Sequence, residues 1–243
     1  RNIIELIRRL TENNSNYLLD WLANILQLRN KTQVAILLKS TAQGLGKTTF
    51  IDWFGNKILG NKYYQFIEKN ERLLKDFNSV LENKLLVYIS EATGSVNHQF
   101  QKTFESMISD DFLTIEKKGI DAYTIRNYLS FMLSSNTSNP VKIDMEDRKW
   151  VCYDCEINSE KDFDFINSVK DDMINPVVIR CFFEFLLRRN VINKNWIDTR
   201  PQTELYNDLK NLNANPLILF MRQRCENNII HEFVEYRSSI LFE

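Results

Sequence analysis

Apolar residues recur at helical spacing near both ends of the chain, and between these ends they form short unbroken runs. The segments Ile3 to Leu10 and Tyr17 to Leu26 carry the spacing of amphipathic helices, which predicts a helical lead-in. Runs of strand length follow at Val34–Lys39, Leu85–Ile89, Leu129–Leu133 and Trp150–Cys155. Runs this short and apolar are typical of strands that are buried on both faces of a sheet.

Helical patterns separate and follow these strands. They cover Thr48–Leu59, Glu71–Leu81, His98–Ile108 and most of the chain from Phe163 onward. Gly60-Asn61 is expected to end the first of them. Two strand-like segments, Phe112 to Glu116 and Tyr123 to Asn127, bracket residues 117–121 and predict a β-hairpin.

Buried strands that alternate with helices predict an α/β fold with a central, mostly parallel sheet flanked by helices. We divide the chain into a helical lead-in (1–30), an α/β core (31–156) and a helical C-terminal region (157–243). Ligands of such sheets bind beyond the carboxyl ends of the strands. Thr48, Glu91 and Asn136 lie at or just after strand ends, so we expect them to converge on one edge.

Composition adds limits to this picture. The chain has 243 residues, 44% of them hydrophobic, and a formal net charge of −1, so any nucleic-acid contact must be a local patch. No apolar run approaches the roughly 18 residues of a membrane span, and no membrane contact is expected. The chain starts at Arg1 with a helical pattern already under way, which suggests a fragment of a longer protein.

The four cysteines favour a reducing compartment and free thiols. Cys152 and Cys155 form a lone C-x-x-C motif in a strand-like stretch, where alternation places the two thiols on opposite faces. A zinc site is the less favoured interpretation, since no second pair follows and the chain has only two histidines.

The strongest chemical signal is the segment between the first strand and the next helix. It reads Gln43-Gly44-Leu45-Gly46-Lys47-Thr48-Thr49, and strand, glycine-containing loop and Gly-Lys-Thr arrive in the order of a phosphate-binding loop. Lys47 would reach the β- and γ-phosphates of ATP, and the Thr48 hydroxyl would ligate Mg²⁺. Thr41 stands where the usual first glycine is found, so the loop must bend elsewhere, with Gly44 the candidate. The alternative is a surface turn that contains Gly-Lys-Thr by chance.

Two further candidates follow neighbouring strands. Glu91 comes directly after an apolar strand and is a candidate to polarise water and support Mg²⁺, the alternative being a solvated carboxylate. Ser90 takes the place of the usual acidic metal partner, which predicts slow hydrolysis or an altered metal preference. Asn136 could hydrogen-bond a γ-phosphate and the attacking water, or could simply form a turn before Pro140.

Three cationic residues complete the candidates. Arg148 could be an arginine finger that reaches the nucleotide of a neighbouring subunit, or a surface residue paired with Asp147. Lys117 and Lys118 lie on the predicted hairpin, where two ammonium groups suit a phosphate backbone, although such a turn is usually only a solvated tip.

Together these segments resemble the superfamily 3 helicases, an AAA+ lineage with a P-loop, and in particular the helicase part of phage-type and poxvirus-type primase-helicases. The resembling stretches are residues 21–27, 43–48, 77–91, 116–121, 134–136 and 147–148. The resemblance implies an ATP- and Mg²⁺-dependent ring, usually a hexamer, that moves on single-stranded or forked DNA with 3′–5′ polarity. It assigns ATP and Mg²⁺ to Lys47 and Thr48, catalysis to Glu91, a sensor role to Asn136 and a finger role to Arg148.

The resemblance also places Lys117 or Lys118 on a pore hairpin that grips DNA. It implies a primase or primase-polymerase domain upstream, and an intracellular location at the replication site of a virus, phage or plasmid. Three functions stay open from the sequence. They are a replicative DNA helicase, an ATP-binding switch or weak ATPase that organises replication partners without unwinding, and a module that only oligomerises.

Overall fold

The computed structural model describes residues 1–12, 14–27, 31–69, 78–92, 98–155 and 162–214, together with Leu217, Phe220, Met221 and Arg224. The helices are α1 (Asn2–Leu10), α2 (Ser15–Gln27), α3 (Lys47–Trp53), α4 (His98–Ser109), α5 (Phe163–Ile174), α6 (Pro176–Leu187) and α7 (Glu204–Leu212). A π-helix, Phe54–Gly60, continues α3, and a single 3₁₀ turn spans Ser79–Leu81. The strands are β1 (Ala35–Lys39), β2 (Tyr64–Lys69), β3 (Leu86–Glu91), β4 (Phe112–Lys117), β5 (Ile120–Arg126), β6 (Ser130–Ser135) and β7 (Trp150–Asp154).

Five strands form one parallel sheet in the order β2-β3-β6-β1-β7. The central strand β6 therefore lies between β1 and β3, and Leu133 pairs in register with Leu37 on one side and Ile89 on the other. β4 and β5 form a separate antiparallel hairpin with Lys118 and Gly119 at its turn. The predicted α/β fold with a mostly parallel central sheet and flanking helices is confirmed.

Most predicted elements are present, with two differences. The edge strand β2 was not predicted, because its alternating sequence includes exposed positions such as Phe66 and lacks the unbroken apolar run of the central strands. The predicted helix Glu71–Leu81 falls largely on residues 71–77, which lie outside the described residues. Its described end is only the 3₁₀ turn.

Alternation along the strands divides the core into two buried clusters, one on each face of the sheet. Ile36 and Leu38 of β1 face the cluster that is covered by α1, α2, α3, α5 and α6. Ala35 and Leu37 face the cluster that is covered by α4, the hairpin and α7. Cys155 belongs to the first cluster and Cys152 to the second, as the alternation predicts.

Helices from both ends of the chain fix the segment that follows β1. The Trp53 indole on α3 donates to the carbonyl of Met173 on α5 at 2.8 Å. Gln27 of α2 donates to the carbonyls of Leu186 and Arg189, at 2.6 Å and 2.8 Å, and so joins the lead-in to the end of α6. The lead-in and helices α5 and α6 therefore share one packed layer behind the loop.

Candidate nucleotide-binding site

The loop between β1 and α3 bends at its two glycines. Gly44 and Gly46 have φ angles of 86° and 87°, in the left-handed region that disfavours residues with a Cβ. A Cβ on Gly46 would also lie 3.1 Å from methyl carbons of Leu6 on α1 and Ile166 on α5. Gly44 thus supplies a bend that Thr41 does not, as the sequence predicts, and Gly46 allows α3 to begin close against the two flanking helices.

Lys47 points its ammonium group into this loop. The residue is only 8% exposed, and its Nζ donates to the hydroxyl of Ser40 and, at 3.1 Å, to Oδ1 of Asn136. Ser40 directly follows β1 and Asn136 directly follows β6. One ammonium group therefore links two adjacent strand ends, and it lies where a phosphate cradled by the loop would need a cation.

A small cleft lies at the same place. Its volume is about 170 Å³, and it is lined by residues 43–49 and Asn136. Ordinary small-molecule pockets hold about 300–1,000 Å³, so this cleft suits a phosphate chain rather than a whole nucleotide. Every residue that the sequence assigned to ATP binding contributes to the lining, which brings Gln43, Gly44, Leu45, Gly46, Lys47, Thr48 and Thr49 together with Asn136.

Thr48 heads a chain of hydroxyl groups whose direction follows from its last acceptor. Its Oγ1 lies 3.0 Å from the Tyr88 hydroxyl, which lies 2.7 Å from Oγ of Ser134. Ser134 in turn donates its single hydroxyl hydrogen to the carbonyl of Ser90 at 2.9 Å. Tyr88 must therefore donate to Ser134 and accept from Thr48. This polarity leaves the lone pairs of the exposed Thr48 oxygen available to a cation.

Burial keeps this row of hydroxyl groups in one protonation state. Tyr88 has no exposed surface, and burial raises the pKa of its phenol above the ordinary value, so the hydroxyl keeps its proton near neutral pH. β3 places Tyr88 on the sheet face that α3 covers, with Leu86. The hydrogen-bonded hydroxyl groups therefore connect the first turn of α3 to β3 and β6.

Glu91 is the last residue of β3 and is exposed at the same sheet edge. Alternation places it on the face of Val87 and Ile89, whereas Ser90 shares the face of Tyr88. The Ser90 hydroxyl donates to the carbonyl of Glu68 on β2 at 3.2 Å. The position of the usual acidic metal partner therefore holds a hydroxyl that is directed toward the neighbouring strand.

Arg148 lies at the edge of the sheet opposite the loop. It precedes β7, whose first residue Trp150 pairs with Ala35, the first residue of β1. β1 then runs five residues, about 16 Å, before the loop begins. Arg148 is exposed, and within the described part of the chain it forms no ion pair with Asp147, whose carboxylate accepts from the backbone N–H groups of Lys149 and Trp150. The arrangement separates Arg148 from the loop of its own chain.

The two hairpin lysines differ from each other. Lys117 ends β4 and pairs with Glu82 at 2.5 Å, and Tyr123 donates to the same carboxylate at 2.6 Å. The hydrogen bond to Glu82 raises the pKa of Lys117. Lys118 lies exposed at the turn itself. The structure therefore leaves Lys118, rather than Lys117, as the lysine that the hairpin tip presents to solvent.

Sequence reasoning did not single out two site residues. Ser40 contacts Lys47, and Tyr88 contacts Thr48. Ser40 carried a weak signal, since it is the first polar residue after an apolar strand. Tyr88 carried a stronger one, because it is the one polar side chain inside the run Leu85–Ile89, and a hydroxyl buried there needs a hydrogen-bond partner.

The site suits ATP and Mg²⁺ by the chemistry of its donors. Residues 43–49 line the cleft, Lys47 supplies a buried cation, and Thr48 offers a hydroxyl oxygen with free lone pairs. Mg²⁺ prefers few protein oxygens together with water and phosphate, which matches the single hydroxyl of Thr48. Within the described residues no group of three or more metal-ligating side chains occurs, so the protein alone does not form a closed metal cage there.

Comparisons with known proteins agree with this architecture. The model of a family described as a family of unknown function (DUF5906) matches residues 38–149, which run from the end of β1 to the residue before β7. The DNA primase-polymerase of Nitratiruptor phage NrS-1 is 28% identical over 143 residues, covering 56% of this chain and 19% of that protein. The chain therefore spans about a fifth of the length of this curated relative.

Solved structures share the fold. The apo structure of the NrS-1 C-terminal region (305–718) aligns with a TM-score of 0.78 at 21% identity, covering 96% of this chain and 60% of that one. The A form apo structure of the same region aligns with a TM-score of 0.75 at 21% identity. The chain thus resembles part of a phage replication protein.

In the described residues, no helix is both long enough and apolar enough to span a bilayer.

Proposed function

We propose that this chain is an ATP-driven motor of phage-type DNA replication, a P-loop AAA+ helicase or translocase of the superfamily 3 kind that works as a ring. One observation carries the proposal. Lys47 after β1 hydrogen-bonds Asn136 after β6 at one small cleft, and Thr48 in the lining of that cleft connects through Tyr88 to β3, so three adjacent strands hold the lining. Phosphoryl transfer depends chiefly on positioning and charge, which is what such a cleft supplies.

Each residue has a chemical role in this proposal. MgATP, when bound, supplies the phosphoryl group and the metal charge. Lys47 neutralises the β- and γ-phosphates, and the Thr48 oxygen faces the metal. Glu91 orients the attacking water and Asn136 holds it against the phosphate. Arg148 serves the site of a neighbouring subunit in a ring that we expect to be a hexamer, and the hairpin with Lys117 and Lys118 contacts DNA.

The similarity to the NrS-1 DNA primase-polymerase supports a replication context. The matched segment is about a fifth of that protein, so we propose that this chain is likewise one part of a longer replication protein that also carries a primase or primase-polymerase domain. We propose that it acts intracellularly on single-stranded or forked DNA.

Ser90 favours a second candidate function. A hydroxyl directed at β2 adds no negative charge beside the metal, and a weakly held Mg²⁺ would slow hydrolysis. An ATP-binding switch that organises replication partners without unwinding would need only the cleft that binds the phosphates. Strand displacement on a forked duplex separates this function from the motor.

The test is Mg²⁺-dependent ATP hydrolysis with and without single-stranded DNA. We expect hydrolysis that DNA stimulates, and a loss of about 10²-fold or more in Lys47→Ala, because the removed cation stabilises charge that develops on the transferred group. Lys57→Ala, which removes an exposed lysine from the π-helix behind α3, is the matched control. Equal hydrolysis by Lys47→Ala and the parent chain would contradict the proposal.

A further inference from the structure

A second and larger cleft opens at the opposite edge of the sheet. Its volume is about 660 Å³, within the range of ordinary ligand sites. Tyr63 and Leu85 line it just before β2 and β3, Leu129 lines it just before β6, and Arg126 lines it at the end of β5. The cleft therefore lies beneath the base of the hairpin, at the amino-terminal ends of the strands.

The cleft combines an apolar floor with aromatic walls. The side chains of Leu81, Leu85, Leu113 and Leu129 are buried beneath it. Tyr63 on one wall is half-buried, and Tyr128 on the other is 40% exposed. A flat aromatic ring that faces an open cleft can stack on a nucleobase, and such stacking tolerates any base.

Cations line the rim beside these rings. Among the described lining residues, those with a positive charge are Lys62, Lys84 and Arg126. The Lys62 ammonium lies 5.5 Å from the centroid of the Tyr63 ring, and the Arg126 guanidinium lies 5.8 Å from that of Tyr128. Lys84 is fixed by donation to the carbonyls of Asn61 and Tyr64. Each wall thus presents an aromatic ring with a cation over one of its faces.

The carboxylate in the lining is already neutralised. Glu82 pairs with Lys117 of the hairpin and accepts from Tyr123, and these hydrogen bonds lower the pKa of Glu82. The three rim cations are therefore not offset by this group. A local positive charge of this kind contrasts with the net charge of −1 of the whole chain.

We propose that this cleft binds a short segment of single-stranded nucleic acid, with Tyr63 and Tyr128 stacking on bases and Lys62 and Arg126 contacting phosphates. Paired cations and rings match the backbone-and-base repeat of a strand. Three cations in the lining do not suit an apolar peptide. The site is separate from the ATP cleft and from the exposed tip at Lys118, so it goes beyond the motor function proposed above.

The test is fluorescence anisotropy of a labelled oligo(dT) strand with the full chain, without nucleotide, over a series of salt concentrations. We expect the Kd of Lys62→Gln/Arg126→Gln to rise about ten-fold or more, and the slope of log Kd against log salt to fall by about 1.4, roughly 0.7 for each lost phosphate contact. We expect Tyr128→Leu to raise the Kd roughly five-fold or more with little change in slope, because stacking is not ionic.

Two controls test whether weaker oligo(dT) binding comes from a general loss of positive charge or from the hairpin tip. Lys57→Gln/Lys170→Gln removes the same charge from residues that line a different cleft, and is expected to bind as the parent chain does. Lys118→Ala reports the hairpin tip separately. Equal affinity in the parent chain and the Lys62→Gln/Arg126→Gln variant, or no binding of oligo(dT) by the parent chain, would overturn the inference. Competition by dTMP as effective as by the oligonucleotide would indicate a mononucleotide pocket and would overturn the strand assignment.

This test does not depend on hydrolysis. The Lys47→Ala variant is expected to keep the anisotropy response without nucleotide, because Lys47 lies at the other edge of the sheet. A chain that binds oligo(dT) through the cleft but hydrolyses no ATP would retain this inference and contradict the motor. A chain with DNA-stimulated hydrolysis and no binding through the cleft would retain the motor and contradict this inference.

Discussion

At the scale of single residues, Lys47 and Thr48 are adjacent in sequence but are held by different strands. Lys47 is buried and donates toward the ends of β1 and β6, whereas Thr48 is exposed and donates toward β3 through Tyr88. The phosphate cation and the metal-facing oxygen are thereby oriented independently. A change at Tyr88 should disturb the metal-facing oxygen and leave the cation in place.

Tyr88→Phe tests this separation. The substitution removes the acceptor that orients the Thr48 hydroxyl, so we expect a several-fold weaker apparent Mg²⁺ affinity in the ATPase reaction. Binding of metal-free ATP should be little changed. The two lost hydrogen bonds should lower the free energy of unfolding by about 1–3 kcal/mol, at about 0.5–1.5 kcal/mol each. Titration of Mg²⁺ at fixed ATP, together with urea denaturation, measures both effects.

Tyr64→Phe is the matched control for Tyr88→Phe. Tyr64 is also buried, and its hydroxyl donates to Asp52 on α3, so its loss should cost stability without touching Thr48. Identical Mg²⁺ dependence in the two variants would show that the relay from Thr48 has no part in metal binding.

Some residues of the candidate site could be predicted from the sequence, and others could not. The loop residues 43–49 were predictable because phosphate binding constrains glycine spacing and the Lys-Thr pair locally. The roles of Ser40 and Tyr88 were not, because each depends on which strand lies beside its own. The order β3-β6-β1 is a long-range property that no local pattern contains.

At the scale of elements, Lys31 joins three of them at the edge away from the loop. Just before β1, its ammonium donates to the carbonyl of Met107 in the last turn of α4 at 2.6 Å, and to that of Leu129 before β6 at 3.3 Å. A cation suits the carboxyl end of a helix, where the dipole and unpaired carbonyls are negative. Burial nevertheless lowers the pKa of Lys31 to about 8.

This contact predicts a pH-dependent contribution to stability. The pKa of Lys31 in the folded chain, about 8, lies below the ordinary value of 10.5. Between these values the unfolded chain binds more protons, so the free energy of unfolding rises with pH. Lys31→Met lacks this gain, and we expect it to be less stable by about 1–2 kcal/mol near neutral pH. Its deficit against the parent chain should widen from pH 7.5 to pH 9.5.

Urea denaturation at the two pH values measures the difference. Lys102→Met, on the exposed side of α4, controls for the loss of a surface lysine. A deficit that stays constant or shrinks with rising pH would contradict the assignment of a depressed pKa to Lys31.

At the scale of the whole molecule, the sequence predicted the central strands, the hairpin and the flanking helices. Their signals are local, since buried parallel strands appear as apolar runs and amphipathic helices as a 3.6-residue period. The edge strand β2 was not predicted because it includes exposed positions such as Phe66 and lacks an unbroken apolar run, whereas the other edge strand, β7, is almost fully buried. The packing of α1 and α5 against Gly46 was not predicted either, since it brings together residues 6, 46 and 166 through tertiary contacts alone.

The same topology makes a prediction about assembly. β7 is parallel to β1, so Arg148 before β7 lies at the edge opposite the loop, at least the length of β1 away. Arg148 can complete a nucleotide site only if that site belongs to another copy of the chain. We therefore expect Arg148→Ala to bind ATP normally and to lose about 10³-fold in hydrolysis, the scale that is typical of an arginine finger.

Mixing two inactive variants tests whether the site is shared. In a ring assembled from equal amounts of Arg148→Ala and Lys47→Ala chains, about one quarter of the interfaces join an intact Lys47 to an intact Arg148. We expect hydrolysis to return toward that fraction of the parent rate when the subunits are mixed before assembly. Arg148→Gln mixed with Arg148→Ala is the control, because no interface then contains the arginine. Hydrolysis by Arg148→Ala alone at the parent rate, or no recovery in a mixture that co-assembles, would contradict a shared site, because the recovery requires the two residues to come from different chains.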